Sequence, residues 1–240
     1  VPVEVAVTTA GAVRRGVVPA GEAWLTTARR LVPDAVVDPV AVDLSGPLKH
    51  FVVDVDLRVA VRPMVHGDLP DVVRWRSAPH VRRWWAGDGP ATPAAVRERY
   101  LPAIAGDEPT RMWVWEVNGR SVGLVQDYRI SDHPEYALLT PDPAAVGVDY
   151  LVGEPDRVGR GVGTRCLWAW AVHARARYPE VAAFFAAPDH RNRASLRVLA
   201  KLGFVEGLWF DEPQEDGTVT TVVGCTLDVG LVLGSDDDPP

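Results

Sequence analysis

Cysteine is scarce: Cys166 and Cys225 are the only two in 240 residues. That number excludes a disulfide framework and a four-ligand cysteine zinc site. The six histidines (His50, His66, His80, His133, His173 and His190) are scattered, with no metal-ligand spacing to one another or to a cysteine, so no metal is expected. No Gly-Lys dipeptide occurs, which removes the phosphate loop that ends in Gly-Lys-Ser/Thr. No apolar run approaches the roughly 18 residues of a membrane span. The opening residues lack the charged and then apolar order of a secretory leader. A cytoplasmic protein with no membrane partner is the expectation. Positive charge is also short, with 25 Lys and Arg against 32 Asp and Glu and a net charge of -7. Nucleic acid needs clustered cations, so it is not the expected partner. A cationic small molecule suits this charge, through long-range steering.

Apolar residues make up 47% of the chain, enough for a sizeable core in one domain with an appended piece. Residues 1–57 are rich in Val, Ala and Pro and form the expected appended piece, an extension or small subdomain of unknown role. Within it, 20–32 predicts a short helix, and the alternating stretch 51–57 predicts a strand. From residue 58 the signals sharpen. A strand at 58–64 leads to a helix with Asp68 as N-cap. Thr92, Pro93 and Gly106 punctuate a second helix. Asn118-Gly119 between two strand-like runs predicts a hairpin. A loop rich in Pro and acidic residues, 131–145, precedes a strand at 146–153. Then come a glycine turn, a helix to about 178, a short apolar strand at 181–188, and a helix closed by Gly203. A last hairpin leads to an acidic tail, 231–240, expected to be unstructured. The order predicts an α/β (α+β) fold: a mixed, mostly antiparallel sheet with helices on its faces over 58–230.

The turn "DRVGRGVGTR", 156–165, places Gly159, Gly161 and Gly163 at alternate positions. It is not the dinucleotide fingerprint G-x-G-x-x-G, because the third glycine falls on Thr164 or Cys166. A glycine turn opening a helix still lets backbone N–H groups approach an anion, and the helix start adds its positive end. Arg160 and Arg165 add charge. The combination suits a pyrophosphate; close strand–helix packing is the plainer use of such glycines.

The turn, followed by "NRASLRVLAKLGF" (192–204), resembles the acetyl-CoA signature of the GNAT acetyltransferases. That signature reads Gln/Arg-x-x-Gly-x-Gly/Ala at a helix start and Asn-x-x-Ala/Ser-x-x-x-Tyr-x-Lys-x-Gly-Phe in a later helix. The resemblance covers about 58–230 and implies the GNAT fold with acetyl-CoA as co-substrate. The cofactor would be held by Val158, Gly159, Arg160, Gly161, Val162, Gly163, Thr164 and Asn192. The aminoglycoside 6'-N-acetyltransferase branch is the most similar, through the stretches at 78–85, 100–108, 118–128 and 147–165. That likeness implies an antibiotic-resistance type of acetyl transfer to a primary amine, by a monomer or homodimer. Asp149 would bind the ammonium group and accept its proton, the chemistry a neutral attacking amine requires. Trp85, Tyr100, Glu108, Gln126, Asp132 and Glu135 fall at or near substrate-pocket positions. Acyltransferases of hydroxylysine-type siderophore precursors are similar in the same places but tend to carry His where Asp149 stands. A non-catalytic acyl-CoA-binding module is the alternative from another class. The chain departs from the family at three positions. Val158 replaces Gln/Arg, Ala187 replaces an acidic residue, and Leu199 replaces the Tyr that serves as proton donor. Tyr150 and Ser195 are the candidate substitutes for that donor.

Overall fold

The structure, a computed structural model, describes residues 2–33, 39–85, 89–134, 142–213 and 217–234. Its N-terminal part is a four-stranded sheet of β1 (Glu4–Thr9), β2 (Ala12–Val17), β3 (Ala41–Asp43) and β4 (Leu48–Val52). The order is β2-β1-β4-β3, with β1 and β4 parallel. Helix α1 (Trp24–Leu31) buries Trp24, Leu25 and Ala28, and Arg29 and Arg30 in its last turn suit the negative end of the helix dipole. The strand expected over 51–57 ends early. After Val52 the Asp54 carboxylate accepts the Asp56 amide at 3.0 Å, so the alternating acidic residues make a side-chain turn instead of a ladder.

The main sheet holds β5 (Val59–Pro63), β6 (Arg111–Val117), β7 (Arg120–Arg129), β8 (Val146–Val152), β9 (Ala183–Ala186), β10 (Val205–Pro213) and β11 (Val219–Asp228). Its order is β10-β11-β9-β8-β7-β6-β5, and only β8 and β9 run parallel. This is the mixed, mostly antiparallel sheet that the sequence predicts. The helices are α2 (Leu69–Ser77), α3 (Pro79–Arg82), α4 (Pro93–Ala105), α5 (Val162–Arg177), α6 (Arg193–Leu202) and α7 (Val229–Val232). The β6–β7 turn has Asn118 at φ 51° and Gly119 at φ 78°, the left-handed pair that a tight hairpin needs. Thr92 caps α4 by accepting the Ala95 amide, and Gly106 ends it at φ 84°. Asp68 precedes α2 but does not cap it with its side chain. Its carboxylate takes two bonds from Arg62 and one from the Val65 amide.

Side chains alternate across the sheet. Met112, Val114, Leu124 and Leu151 pack under α2 and α4 with Val72, Trp75, Val96 and Tyr100. Trp113, Trp115, Val125 and Val148 pack under α5 and α6 with Leu167, Trp170, Leu196 and Leu199. The N-terminal sheet has no separate core. Trp168 of α5 donates to the Pro39 carbonyl at 2.9 Å and meets Phe51 of β4 edge-on, with ring centroids 5.8 Å apart. The Leu44 amide bonds to the Lys201 carbonyl at 2.7 Å. At the other terminus, order persists further than expected: α7 covers Val229–Val232, and Val232 and Leu233 are buried. Residues 235–240 of the expected tail lie outside the described residues.

Candidate active site

Strands β8 and β9 pair only at Val146↔Phe184 and Gly147↔Phe185. Past Gly147, β8 continues to Val152 with β7 as its one strand partner, so the sheet is open on its β9 side. Asp149 and Tyr150 are consecutive and therefore point to opposite faces. Both nevertheless line one cavity of about 420 Å³. An opening through the sheet is what allows two opposite-facing side chains to share one cavity.

On one side of the opening, Gln126 Nε2 donates to Asp149 Oδ2 at 3.0 Å, and the two residues face each other in the β7–β8 register. On the other side, the Tyr150 hydroxyl and Ser195 Oγ are 2.7 Å apart. Burial pushes the Tyr150 hydroxyl pKa well above its ordinary value, and the bond to Ser195 offsets only part of that rise. Tyr150 therefore stays protonated at neutral pH.

The end of β8 is clamped to α2. A Cβ on Gly153 would overlap the Trp75 indole, so glycine is required there. Trp75 Nε1 donates to Glu154 at 2.9 Å, and Arg74 and Arg120 pair with the same carboxylate at 2.7 and 2.8 Å. The chain then enters the glycine turn. Gly159 and Gly161 both have φ 75°, and a Cβ on Gly159 would meet nothing within 4 Å. Left-handed backbone, and not crowding, is what glycine supplies at 159. Gly163 differs: its hypothetical Cβ would touch Val152 and Val198 at 3.6 Å, which is strand–helix packing. Helix α5 starts after Gly161 with no side-chain cap, so its first amides have no acceptor inside the helix or from a cap. Val158, Gly159, Arg160 and Gly161 are exposed. In the turn the Val158 and Arg160 amides bond back to the Pro155 and Arg157 carbonyls at 3.3 and 3.4 Å, and the first amides of α5 stand at the positive end of a 16-residue helix, a fit for a phosphate-bearing ligand.

Of the residues named from sequence, Trp85, Gln126, Asp149 and Asn192 line the cavity. Asn192 also caps α6, accepting the Ser195 amide at 3.1 Å. Tyr100 does not line it. At 1% exposure it belongs to the core between α2 and α4, because its helix turns it towards Val72 and Trp75. Glu108 meets the cavity through a partner: it pairs at 3.7 Å with Arg99, which is in the wall. Asp132 is exposed in a short 3-10 turn and is not in the wall. Glu135 lies outside the described residues. Leu199 is buried in the core, and Ala187 is in the cavity wall.

Sequence reading missed Arg83, Arg99, Asp189, Arg191 and Glu212, which also line the cavity. Apart from Asp189 and Arg191, which share one turn and pair at 2.6 Å, they come from separate segments, and no local spacing marks the set. It also passed over the string Gly119-Arg-Ser-Val-Gly123, which has the spacing of a serine-hydrolase nucleophile turn. That string sits on the β6–β7 hairpin and not on a strand-to-helix turn, and Ser121 Oγ accepts from Arg62 at 3.3 Å.

The split sheet brings a carboxylate and a hydroxyl into one cavity, and β8 leads on towards the glycine turn, none of whose residues 158–164 is in that cavity's wall. The chain belongs to the GNAT acetyltransferases: the family described as acetyltransferase (GNAT) domain matches residues 64–211. The N-terminal sheet lies outside that match. Among curated proteins, the chain is 29% identical over 168 residues to aminoglycoside N(6')-acetyltransferase type 1 of Klebsiella pneumoniae and to that of Serratia marcescens. Those alignments cover 69% of this chain and 79% of each relative. Among solved structures, aminoglycoside acetyltransferase AAC(6')-Ib with coenzyme A and kanamycin matches with a TM-score of 0.61 at 27% identity, over 71% of this chain and 95% of that one. Spermidine N-acetyltransferase from Vibrio cholerae, at 17% identity, a TM-score of 0.57 and coverage of 72% and 96%, shares the fold.

Proposed function

We propose that the protein transfers the acetyl group of acetyl-CoA directly to a primary amine of an aminoglycoside, the 6'-amine by likeness to its relatives. The observation that carries this reading is the shared cavity of Asp149 and Tyr150, two proton-carrying groups on opposite sides of one opening in the sheet. Acetyl-CoA supplies an activated acyl group with a thiolate leaving group; everything else falls to the chain. Amides of Gly159 to Thr164 hold the pyrophosphate, Arg160 adds charge beside it, and Asn192 stands at the pantetheine arm. Asp149 binds the substrate ammonium and takes its proton, directly or through water, so that a neutral nitrogen attacks the thioester carbonyl. Backbone N–H groups of β8 beyond Gly147, which β9 leaves unpaired, stabilise the charge that develops on the carbonyl oxygen. The C–N bond forms and the C–S bond breaks. Tyr150 donates its hydroxyl proton to the departing sulfur and regains one from water, relayed through the Ser195 hydroxyl, while the proton taken up by Asp149 leaves to solvent. With Leu199 at the family Tyr position, the donor has moved from the helix to the strand.

Likeness to aminoglycoside enzymes, the -7 net charge and the wall carboxylates Asp149 and Glu212 support a cationic acceptor; Asp189, also in the wall, is paired with Arg191 at 2.6 Å. A second reading has its own observation. Arg83 and Arg99 are in the same wall, which favours an amine that also carries a carboxylate, as hydroxylysine-type siderophore precursors do. Thiol release from acetyl-CoA, measured across kanamycin-type aminoglycosides, polyamines and amino acids bearing a side-chain amine, tests both. Turnover with aminoglycosides is expected. Turnover confined to amino acids replaces the first reading with the second, and tight acetyl-CoA binding without thiol release from any amine overturns catalysis.

A further inference from the structure

A second chamber, of about 680 Å³, adjoins the first, with Arg83 and Trp85 in the walls of both. Its own wall includes Arg76, Arg82, Gly89 and Thr92. Arg76, near the end of α2, is 2% exposed. Its Nη2 donates to the Gly89 carbonyl at 2.9 Å. Its Nε and Nη1 are buried with no hydrogen-bond partner among the described residues. Arg76 lies over the Tyr100 ring and Arg83 over the Trp84 ring, contacts that hold the cations without neutralising them. Three guanidinium groups therefore surround one chamber, and the deepest has a fork with two bonds unmade among the described residues.

A buried charge with unmade hydrogen bonds is costly, and a water, an ion or a ligand group that completes them relieves the cost. The planar fork of arginine matches an oxyanion, which accepts two parallel bonds. The chamber also borders the N-terminus of the 13-residue helix α4 at Thr92, whose dipole favours negative charge. We propose that this chamber is an oxyanion subsite that takes a carboxylate or phosphate group. The group has two sources, a free inorganic ion or an anionic arm of the acceptor. Because Arg83 and Trp85 belong to both walls, an acceptor with an anionic arm spans the two chambers, with its amine at Asp149 and its oxyanion at Arg76. That extension rests on the acetyl-transfer reading; oxyanion binding itself does not.

The test is calorimetric titration of inorganic phosphate into the full chain, with chloride at matched ionic strength as the control, alongside thermal unfolding. Saturable phosphate binding and a rise in Tm with phosphate are expected. Arg76→Met should weaken binding by about tenfold or more, the loss of one or two charge-assisted bonds. In phosphate-free buffer it should unfold at or above the wild-type Tm, because an unsatisfied buried charge has gone. Arg82→Ala, at an exposed position, should weaken binding without loss of fold. No saturable binding by the wild type, or undiminished binding in both variants, overturns the subsite. So does a Tm loss in Arg76→Met with binding retained, since that outcome marks a purely structural arginine. The source is separated by acetyl transfer to an amino acid with a side-chain amine and to its carboxamide. A carboxylate preference that Arg76→Met erases through KM assigns the oxyanion to the acceptor. Phosphate binding with no such preference assigns it to a free ion. Absence of acetyl transfer with phosphate binding intact overturns the enzymatic reading and leaves the subsite standing.

Discussion

Asp127 and Asp149 stand on neighbouring strands and face opposite sides of one sheet. Asp127 is fully buried. It accepts from Trp113 Nε1 at 2.6 Å, Trp170 Nε1 at 2.9 Å and the Tyr178 hydroxyl at 2.6 Å. Arg111 in turn donates to that hydroxyl at 2.7 Å. Three donors, one from β6 and two from α5 and its C-cap, converge on one carboxylate, and α5 is pinned to the sheet by it. Asp149 receives an amide from Gln126 and opens onto the cavity. The residue type is the same and the strands are adjacent, yet one carboxylate is closed inside the core and the other lines a cavity, where we propose it meets the substrate. What separates them is which face α5 covers and where β9 leaves β8.

The strongest way to break this contrast is Asp149→Asn. The amide keeps the shape but binds ammonium weakly and accepts no proton at neutral pH. A fall in kcat of about 10²–10⁴-fold, the usual range for a lost general base, is expected with Tm unchanged. Full activity at pH 7 would remove the base assignment. Asp127→Ala should do the reverse. Removing the acceptor for three buried donors should cost about 3–5 kcal/mol in a urea titration, the range found when one side of a buried charged contact is deleted. The folded fraction should keep its kcat. An Asp127→Ala protein as stable as the wild type would mean that the buried network contributes nothing net.

Tyr150→Phe sharpens the contrast on the other side of the opening. The lost hydroxyl removes the proposed proton donor and leaves the fold, since Tyr150 packs on Trp115 through its ring. A drop in kcat of about 10–10²-fold is expected. That is at or below the low end for acid catalysis, because a thiolate departs readily without a proton. Ser195→Ala should cost less, since it only resupplies the donor. If Tyr150→Phe raises KM for acetyl-CoA and leaves kcat alone, the hydroxyl positions the cofactor and does not donate.

The sequence was most legible where a short segment sets its own conformation. Thr92, Pro93 and Gly106 bound α4, Asn118-Gly119 turns the hairpin, and Gly159 and Gly161 take the left-handed backbone that the turn requires. Asp149 was legible because its strand runs straight into that turn. Pairings distant in sequence were not. The donors to Asp127 lie 14, 43 and 51 residues away, so nothing near it marks a buried network. Family resemblance names Tyr100 for the pocket, but aromatic side chains serve pockets and cores equally, and only the packing of α4 on α2 decides between them. The arginines of the two chambers come from α2, from α3 and the residue after it, from α4 and from the turn before α6. Only the folded chain gathers them.

Glu154 joins the comparison as a third carboxylate, buried like Asp127 but paired with arginines that reach solvent. Burial opposes its ionisation. The Trp75 N–H and the Arg74 and Arg120 guanidinium groups outweigh burial and hold its pKa below the ordinary 4.5. A carboxylate with a depressed folded pKa adds stability that is fully present above the unfolded value and lost as pH falls through the folded one. The clamp between β8 and α2 should therefore hold at neutral pH and weaken below about pH 4.5. Glu154→Gln should flatten that acid limb of a Tm-against-pH curve while Asp149→Asn leaves it unchanged. This is the smallest of the effects, because exposed ends of the arginines are screened by solvent. If the Asp149 variant flattens the limb instead, the cavity carboxylate is part of the scaffold after all, and the division between structural and ligand-facing carboxylates fails at the position where it matters most.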